Sequence, residues 1–390
     1  MKKRTPIPPW AINAITFLLV LFIAVIAFFA GRLSITWLPG TAGRFALLNQ
    51  VYNLLEQQGL PPMPEHTLLE YGAVNGLVQA YNDPYTVFVE PPQAEIQTNL
   101  LAGSYGGIGA RIERDAQNRV LLYPYPDSPA ALAGINDADQ LIAVDGLVIS
   151  VETNMDVIIA AIRGPVGENI EVTIARYSDY TQFEVLQIVR AEVALPSTTY
   201  NLLPDIPSIG IIHLSVIAET TPDELRQAVA ALSSQGAQGF ILDLRNNGGG
   251  LVESGVSTVR LFAVEGAVFE QDYKNRNPET TVIHNRGEFS DLDLVILVNQ
   301  NTASAAEIIA GALQSQKQAM IVGTTTYGKN SIQLVFSLSD GSSLHVTTAQ
   351  WSIPGLSGFG NGTGLKPDIV LAVDAPDAEY IQAAVNALNK

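Results

Sequence analysis

The sequence predicts an α/β core that follows a β-rich module, a helical region and one membrane-spanning segment. Three observations carry this. From Ile209 onward, nearly continuous apolar strands alternate with helices. From Gly103 to about Val193 the chain breaks into short β-rich runs separated by glycine turns. Ala11 to Ala30 is an uncharged run interrupted only by Asn13 and Thr16.

The apolar run would span roughly 30 Å as a helix, about one bilayer core. Lys2, Lys3 and Arg4 lie on its N-terminal side, which places the rest of the chain across the membrane from the cytoplasm. A cleaved signal peptide is the rival reading. Its apolar core is usually shorter, and the small-x-small cleavage pattern is poor here, with Phe28 two places before Ala30.

Between Gly43 and about Leu101 the apolar spacing is helical. Leu47, Leu48, Val51, Leu54 and Leu55 recur at intervals of three and four, as one buried helix face requires, and Leu68, Leu69, Ala73, Val74, Leu77 and Val78 repeat the pattern. In the β-rich stretch, Gly109-Ala-Arg-Ile-Glu, Val120-Leu-Leu-Tyr and Ile170 to Arg176 read as strands. A helix from about Asn154 to Arg163 should stop at Gly164-Pro165. In the α/β region, Ile209–Leu214, Phe240–Leu244 and Leu294–Val298 read as buried strands. Thr221-Pro-Asp-Glu224 reads as a helix start, with a threonine cap, proline in the first turn and acids at the positive dipole end.

Composition narrows the chemistry. The 38 acidic against 21 basic residues give a net charge of −17, which a nucleic-acid backbone would repel, so nucleic-acid binding is not expected. The absence of cysteine excludes disulfides, thiolate metal sites and thiol nucleophiles. No His-Glu-x-x-His metal spacing occurs.

Two strands of the α/β region end in unusual turns. Asp243-Leu-Arg-Asn-Asn-Gly-Gly-Gly-Leu251 is either a plain strand-to-helix turn or a loop whose glycines let backbone N–H groups approach a ligand. Leu297-Val-Asn-Gln-Asn-Thr-Ala-Ser304 runs straight into a helical pattern. Ser304 is then either a helix cap or a nucleophile, placed where free N–H groups could hold an oxyanion. A serine nucleophile needs a base. None of the four histidines, His66, His213, His284 and His345, has a distinctive acidic partner pattern. Lys329, in Gly323-Thr-Thr-Thr-Tyr-Gly-Lys-Asn-Ser-Ile-Gln333, precedes an alternating strand from Ile332 to Leu338. It is a surface lysine if solvated and a neutral base if burial lowers its pKa.

The ordered set Asp-Leu-Arg-Asn-Asn-Gly-Gly-Gly-Leu, Asn-x-x-Thr-Ala-Ser-Ala-x-Glu and Thr-x-Gly-Lys-x-x-x-Gln resembles the C-terminal processing peptidases, tail-specific serine proteases with a Ser-Lys pair. Asn82-Asp-Pro-Tyr-Thr86, Gly103-Ser-Tyr-Gly-Gly-Ile-Gly109, Ser128-Pro-Ala-x-x-Ala-Gly134 through Val144-Asp-Gly146, and Gly364-Leu-Lys-Pro-Asp368 match further segments of that family. The resemblance implies a ClpP/crotonase-like α/β peptidase core with an inserted PDZ domain. It divides the chain into a cytoplasmic N-terminus (1–10), a signal anchor (11–31), a helical region (42–101), a PDZ-like domain (103–193) and the peptidase core (194–390).

By that resemblance Ser304 attacks the scissile carbonyl, Lys329 is the general base and Gln333 orients it. The N–H groups of Gly250 and Ala305 form the oxyanion hole, and Gly106, Gly107, Ile108 and Gly109 receive a substrate's C-terminal carboxylate. It implies protein tails as substrates, no metal or other cofactor, an extracytoplasmic catalytic domain held by a single-pass anchor, and room for a homo-oligomer or a regulatory partner. Gly248 stands where proline is common, Asn330 where glycine is usual, and Ala138-Asp139 where the family has Gly-Asp; none removes a proposed catalytic side chain. The alternatives are a non-catalytic protein on the same fold that binds peptides or lipids, and an acyl-CoA enzyme with related glycine turns. Neither would need Ser304, Lys329 and Gln333 together.

Overall fold

The computed structural model describes residues 45–356, 358–360 and 362–389, and the expected anchor at 11–31 lies outside them. Among the described residues no helix is long and apolar enough to cross a membrane. The chain divides at Ala73 into two compact units. In the first, helix α1 (Ala46–Gln58) carries the predicted apolar stripe; helix α2 (His66–Tyr81) starts in the first unit and ends in the second. The expectation of a buried face is corrected here: Leu47, Leu48, Val51, Leu54 and Leu55 are all exposed. Spacing specifies which residues share a face, but burial also needs a packing partner.

The second unit holds everything else. After α2 comes a feature the helical spacing did not predict, a short strand β1 (Val87–Val89), before helix α3 (Pro91–Ala102). Next come β2 (Ser104–Gly107), β3 (Ala110–Arg114), β4 (Val120–Pro124), helix α4 (Pro129–Leu132), β5 (Asp139–Val144), β6 (Leu147–Val148), helix α5 (Met155–Ile162), β7 (Asn169–Arg176), β8 (Asp179–Val189) and β9 (Ala191–Ala194). Strands β3, β4, β5, β7 and β8 form an antiparallel sheet in that order, with β3 at its edge. Ile108, Leu122, Leu141, Ile158, Ile170 and Ile174 fill the space between this sheet and α5.

Helix α5 begins and ends as predicted. The Asn154 side chain accepts the Asp156 N–H at 2.9 Å, and the helix stops before Gly164-Pro165. Its last carbonyls are satisfied by a buried arginine from the far end of the sheet. Arg190 donates to the Ile162 oxygen at 2.9 Å and to the Ala161 oxygen at 3.1 Å.

The α/β core is a six-stranded sheet in the order β10 (Thr198–Leu203), β11 (Ile206–Leu214), β12 (Gly239–Asp243), β15 (Asp293–Val298), β16 (Met320–Gly323) and β19 (Ile369–Val370). β10 and β11 are antiparallel and the remaining pairs parallel. Helices α6 (Thr221–Ser234), α7 (Val252–Phe262) and α8 (Ala305–Ser315) share one core with this sheet, and α9 (Asp377–Leu388) covers the other face. β12 and most of β15 are buried, as continuous apolar runs require. The α6 start differs in detail from the prediction. Thr220 precedes the helix, and the Thr221 hydroxyl turns back to accept the Ala218 N–H at 2.8 Å.

A further sheet joins β13 (Gly266–Tyr273), β14 (Glu279–Ile283), β17 (Ser331–Ser337) and β18 (Ser343–Ser352) to β1. Val87 and Val89 pair with His345 and Ser343 of β18, and β18 also pairs with β17. The alternation expected along β17 is absent, because Leu334, Val335 and Phe336 are all exposed on this outer strand.

Arg190 supplies the first prediction. Arg190→Ala strands the α5 carbonyls in a buried setting and should cost about 2–4 kcal/mol; Arg190→Lys, which keeps the charge but not the planar fork, should recover little of it. Urea unfolding compared between the two variants and the parent chain measures this, and equal stability would refute the capping role.

Candidate active site

Ser304 sits where β15 gives way to α8, and its backbone is strained. At φ 56° and ψ −124° a non-glycine residue occupies sparsely populated space, at a cost of about 1–3 kcal/mol. The surrounding chain imposes this conformation. The Thr302 hydroxyl donates to the Leu244 oxygen at 2.8 Å, and the Ala303 N–H donates to the Asn247 oxygen at 2.9 Å. The β15–α8 turn is thereby bolted to the glycine-rich turn after β12. Asn247, fully buried, ties that turn in: its Nδ2 donates to the Leu214 oxygen and its Oδ1 accepts the Gly249 N–H, both at 2.8 Å.

The glycines at 249 and 250 are demanded by space as well as by φ. A Cβ on Gly249 would lie 2.8 Å from the Ser304 Cβ and 3.0 Å from the Ala305 nitrogen, and one on Gly250 would lie 2.1 Å from the Ile217 oxygen. Gly248 has open space around its Cβ position, so close packing does not require glycine there. Among the described residues the Gly250 and Ala305 N–H groups have no protein hydrogen-bond partner, while Gly249 has spent its own on Asn247. The glycine turn therefore touches the Ser304–Ala305 junction, and two of the nearby donors remain available.

Glu307, absent from the sequence-based set, organises the other half of the site. It is fully buried in the first turn of α8. Its Oε2 accepts the Ser304 N–H at 2.9 Å and the Lys329 N–H at 3.0 Å; its Oε1 accepts the Gly328 N–H at 2.7 Å and the Thr326 hydroxyl. One carboxylate thus clamps the serine turn to the lysine loop. Burial pushes the Glu307 carboxyl above its ordinary range, and the four hydrogen bonds it accepts oppose that rise. The Ser-x-x-Glu spacing of a capping box was the signal for this residue in the sequence.

The lysine loop is held from its other side by Gly364-Leu-Lys-Pro-Asp368. The Leu365 N–H donates to the Thr326 hydroxyl at 2.8 Å, and Asp368 accepts the Ile321 N–H at 2.8 Å. Asn330 faces Gly360, whose Cβ position is 2.7 Å from the asparagine Nδ2, and its carbonyl accepts the Trp351 N–H at 2.9 Å.

Lys329 is half-buried. Its Nζ donates to Gln333 Oε1 at 2.7 Å and lies 5.4 Å from the centroid of the Tyr85 ring. Burial lowers its pKa, and the nearby carboxylates of Asp83 and Glu307 pull the other way. Gln333 in turn donates its Nε2 to the Tyr85 carbonyl. Among the described residues no hydrogen bond joins Lys329 Nζ to the Ser304 hydroxyl, and none joins Ser304 to any of the four histidines. His213 pairs with Asp243 at 3.7 Å, and His345 contacts the Ser343 hydroxyl at 3.1 Å.

The segment expected to receive a carboxylate, Gly106 to Gly109, spans a strand end and a connection. Gly106 and Gly107 belong to β2, paired with Glu192 and Ala191 of β9, and only Ile108 and Gly109 form the connection to β3. Close packing explains the glycine at 106, since a Cβ there would sit 2.0 Å from the Gly164 oxygen. Beyond this segment a groove of about 250 Å³ runs between β3 and α5, lined by Tyr105, Ile108, Ile112, Ile159, Ile162 and Arg163.

Residues 208–371 match the model of peptidase family S41, and residues 120–176 match a PDZ domain model. The chain is 32% identical over 344 residues to the carboxy-terminal processing protease CtpA of Bacillus subtilis, covering 86% of this chain and 72% of that one. It is 33% identical over 332 residues to a carboxyl-terminal-processing protease of Synechocystis, covering 82% and 76%. Among solved structures, the photosystem II D1 C-terminal processing protease aligns at 29% identity over 85% of this chain and 89% of that one, with a TM-score of 0.46. On the sequence identities, the chain belongs to the C-terminal processing peptidases, serine proteases of peptidase family S41.

Proposed function

We propose that this chain is an endopeptidase that cuts proteins recognised by their C-terminal tails, with Ser304 as nucleophile and Lys329 as general base. The observation that carries the reading is the buried Glu307 carboxylate, which fastens the backbone of the serine turn to that of the lysine loop. A helix-capping serine and a surface lysine would have no need of that link. The half-buried setting that lowers the Lys329 pKa supports the role of base, because only a neutral amine can take the serine proton.

In this mechanism a substrate tail adds beside edge strand β3, with its terminal side chain in the apolar groove against α5. The scissile segment reaches Ser304, and Lys329, keeping its hydrogen bond to Gln333, offers its lone pair to the serine hydroxyl. As the hydroxyl attacks, its proton passes to Lys329, and the carbonyl oxygen gains its charge facing the Gly250 and Ala305 N–H groups. Lys329 then returns the proton to the leaving amine, and water hydrolyses the acyl-enzyme by the same route. A binding-only protein on this fold is not favoured by the family membership.

The reading extends to location. The basic residues ahead of the apolar run from Ala11 to Ala30 support a single-pass anchor with the peptidase facing away from the cytoplasm.

Three outcomes are expected from cleavage assays on an unstructured protein with an apolar C-terminus. Ser304→Ala and Lys329→Ala should each lower kcat by about 10³-fold or more while the chain stays folded; full-rate cutting by Lys329→Ala would remove the lysine from the mechanism. The rate should follow one ascending limb as pH rises, because the neutral amine is the active form, with a midpoint below the ordinary lysine value of 10.5. A limb near pH 6.5 that survives in Lys329→Ala would instead implicate a histidine. Glu307→Ala releases four donors at once and should lower kcat about 10²-fold or more together with the melting temperature. Unchanged kinetics in that variant would break the link between the two halves of the site.

A further inference from the structure

The tight turn at Asp83-Pro84-Tyr85-Thr86 lies far from Lys329 in sequence, yet its main chain ends the hydrogen-bond chain that starts at the lysine. Lys329 Nζ donates to Gln333 Oε1, and Gln333 Nε2 donates to the Tyr85 carbonyl oxygen. The Tyr85 end forbids an amide flip. A carbonyl can only accept, so the glutamine must aim its Nε2 at Tyr85, which leaves its oxygen for Lys329.

The turn is itself fastened. The Thr86 N–H closes it onto the Asp83 carbonyl at 3.2 Å. Asp83 Oδ1 accepts the Tyr85 N–H at 3.2 Å, and Asp83 Oδ2 accepts the Thr86 hydroxyl at 2.6 Å. The Thr86 oxygen accepts the Thr347 N–H of β18 at 3.2 Å, and Val87 to Val89 continue as β1 along that same strand. Gln333 faces Thr347 from β17, so both ends of the contact are registered on one strand. Proline at 84 suits the first inner position of such a turn, and aspartate at 83 is the usual residue to cap it.

We infer that the Asp83–Thr86 turn is a positioning element of the active site: by presenting the Tyr85 carbonyl it fixes the Gln333 amide and, through it, the place of the Lys329 amine. The inference deepens the Ser304–Lys329 reading and rests on it. The Thr86 side chain acts on the reaction only through this carbonyl, whereas Asp83 also reaches the lysine through its charge and the Tyr85 ring lies under it. Loosening the turn frees the amide to rotate and the amine to wander, a misplacement that costs turnover and leaves tail binding alone.

The test uses the chain with its anchor segment embedded in detergent or vesicles. It compares Asp83→Ala, Thr86→Val and Asp83→Asn with the parent, beside Ser304→Ala and Lys329→Ala. Asp83→Ala and Thr86→Val should lower kcat about tenfold or more with KM within twofold. Asp83→Asn keeps an acceptor for the Tyr85 N–H and should return kcat to within about threefold of the parent. Melting temperature and binding of a fluorescent tail peptide are recorded for each variant. Thr86→Val, nearly isosteric, decides the matter if Asp83→Ala does not fold. The inference is overturned if a folded Asp83→Ala or Thr86→Val retains kcat within twofold, if the loss falls on KM alone, or if Asp83→Asn is as slow as Asp83→Ala. Should Lys329→Ala cut at full rate, the Ser-Lys reading fails and takes this inference with it. If Lys329→Ala is silent while the turn variants run normally, only the present inference falls.

Discussion

A carboxylate buried without solvent is tolerable only if its oxygens are fully occupied, and Glu307 meets that condition with four donors drawn from two separate loops. The requirement runs in both directions. The Ser304, Gly328 and Lys329 N–H groups would be orphans in a buried region without an acceptor, and the carboxylate would be an isolated charge without them. Because each side needs the other, the β15–α8 turn and the loop after β16 cannot drift apart independently. The candidate nucleophile and the candidate base come from distant stretches of chain, and this mutual need is what gives them a common frame.

Strain at Ser304 fits into that frame. A positive φ at a serine survives only because Asn247, Thr302, Ala303 and Glu307 hold the residues on either side. The same packing presses the Gly249 backbone against Ser304 and Ala305 so closely that no side chain fits between them. A helix cap could be made far more cheaply with an ordinary backbone. The distortion combines a hydroxyl, a helix N-terminus and a glycine turn in one small volume, an arrangement that suits the acyl transfer proposed above.

The sequence disclosed the parts of this site that depend on residue type and local order, and hid those that depend on the fold. Buried strands such as Phe240–Leu244 and Leu294–Val298 were legible because a strand covered on both faces must be apolar throughout. Helix α5 was legible from its Gly-Pro stop. Strand β1 was not, since three residues beside a helical pattern carry too little periodicity, and its pairing with β18 spans most of the chain. The α1 stripe was read correctly as a shared face and wrongly as a buried one, because partners are not written into spacing. Glu307 stood in plain view in a Ser-x-x-Glu pattern, but a capping box explains it locally, and only the return of residues 326–329 reveals its second set of bonds. The Tyr85 carbonyl left no trace in residue identity at all, since every residue has one.

The Lys329 environment shows how a protein with a net charge of −17 can still lower the pKa of a lysine. Two carboxylates, Asp83 and Glu307, raise the lysine pKa, and the face of the Tyr85 ring also favours a cation. Burial outweighs them, so the shift is downward. The nearby carboxylates are poorly placed to rescue the ammonium, because their oxygens are already engaged: Glu307 is saturated by backbone and threonine donors, and Asp83 is committed to its own turn. Lys329 is left with a neutral acceptor, the Gln333 amide, in place of an ion pair. A glutamate at 333 would restore the charge partner and lock the lysine in its protonated form, so an uncharged residue that accepts towards the lysine and donates towards Tyr85 is the side chain this position calls for.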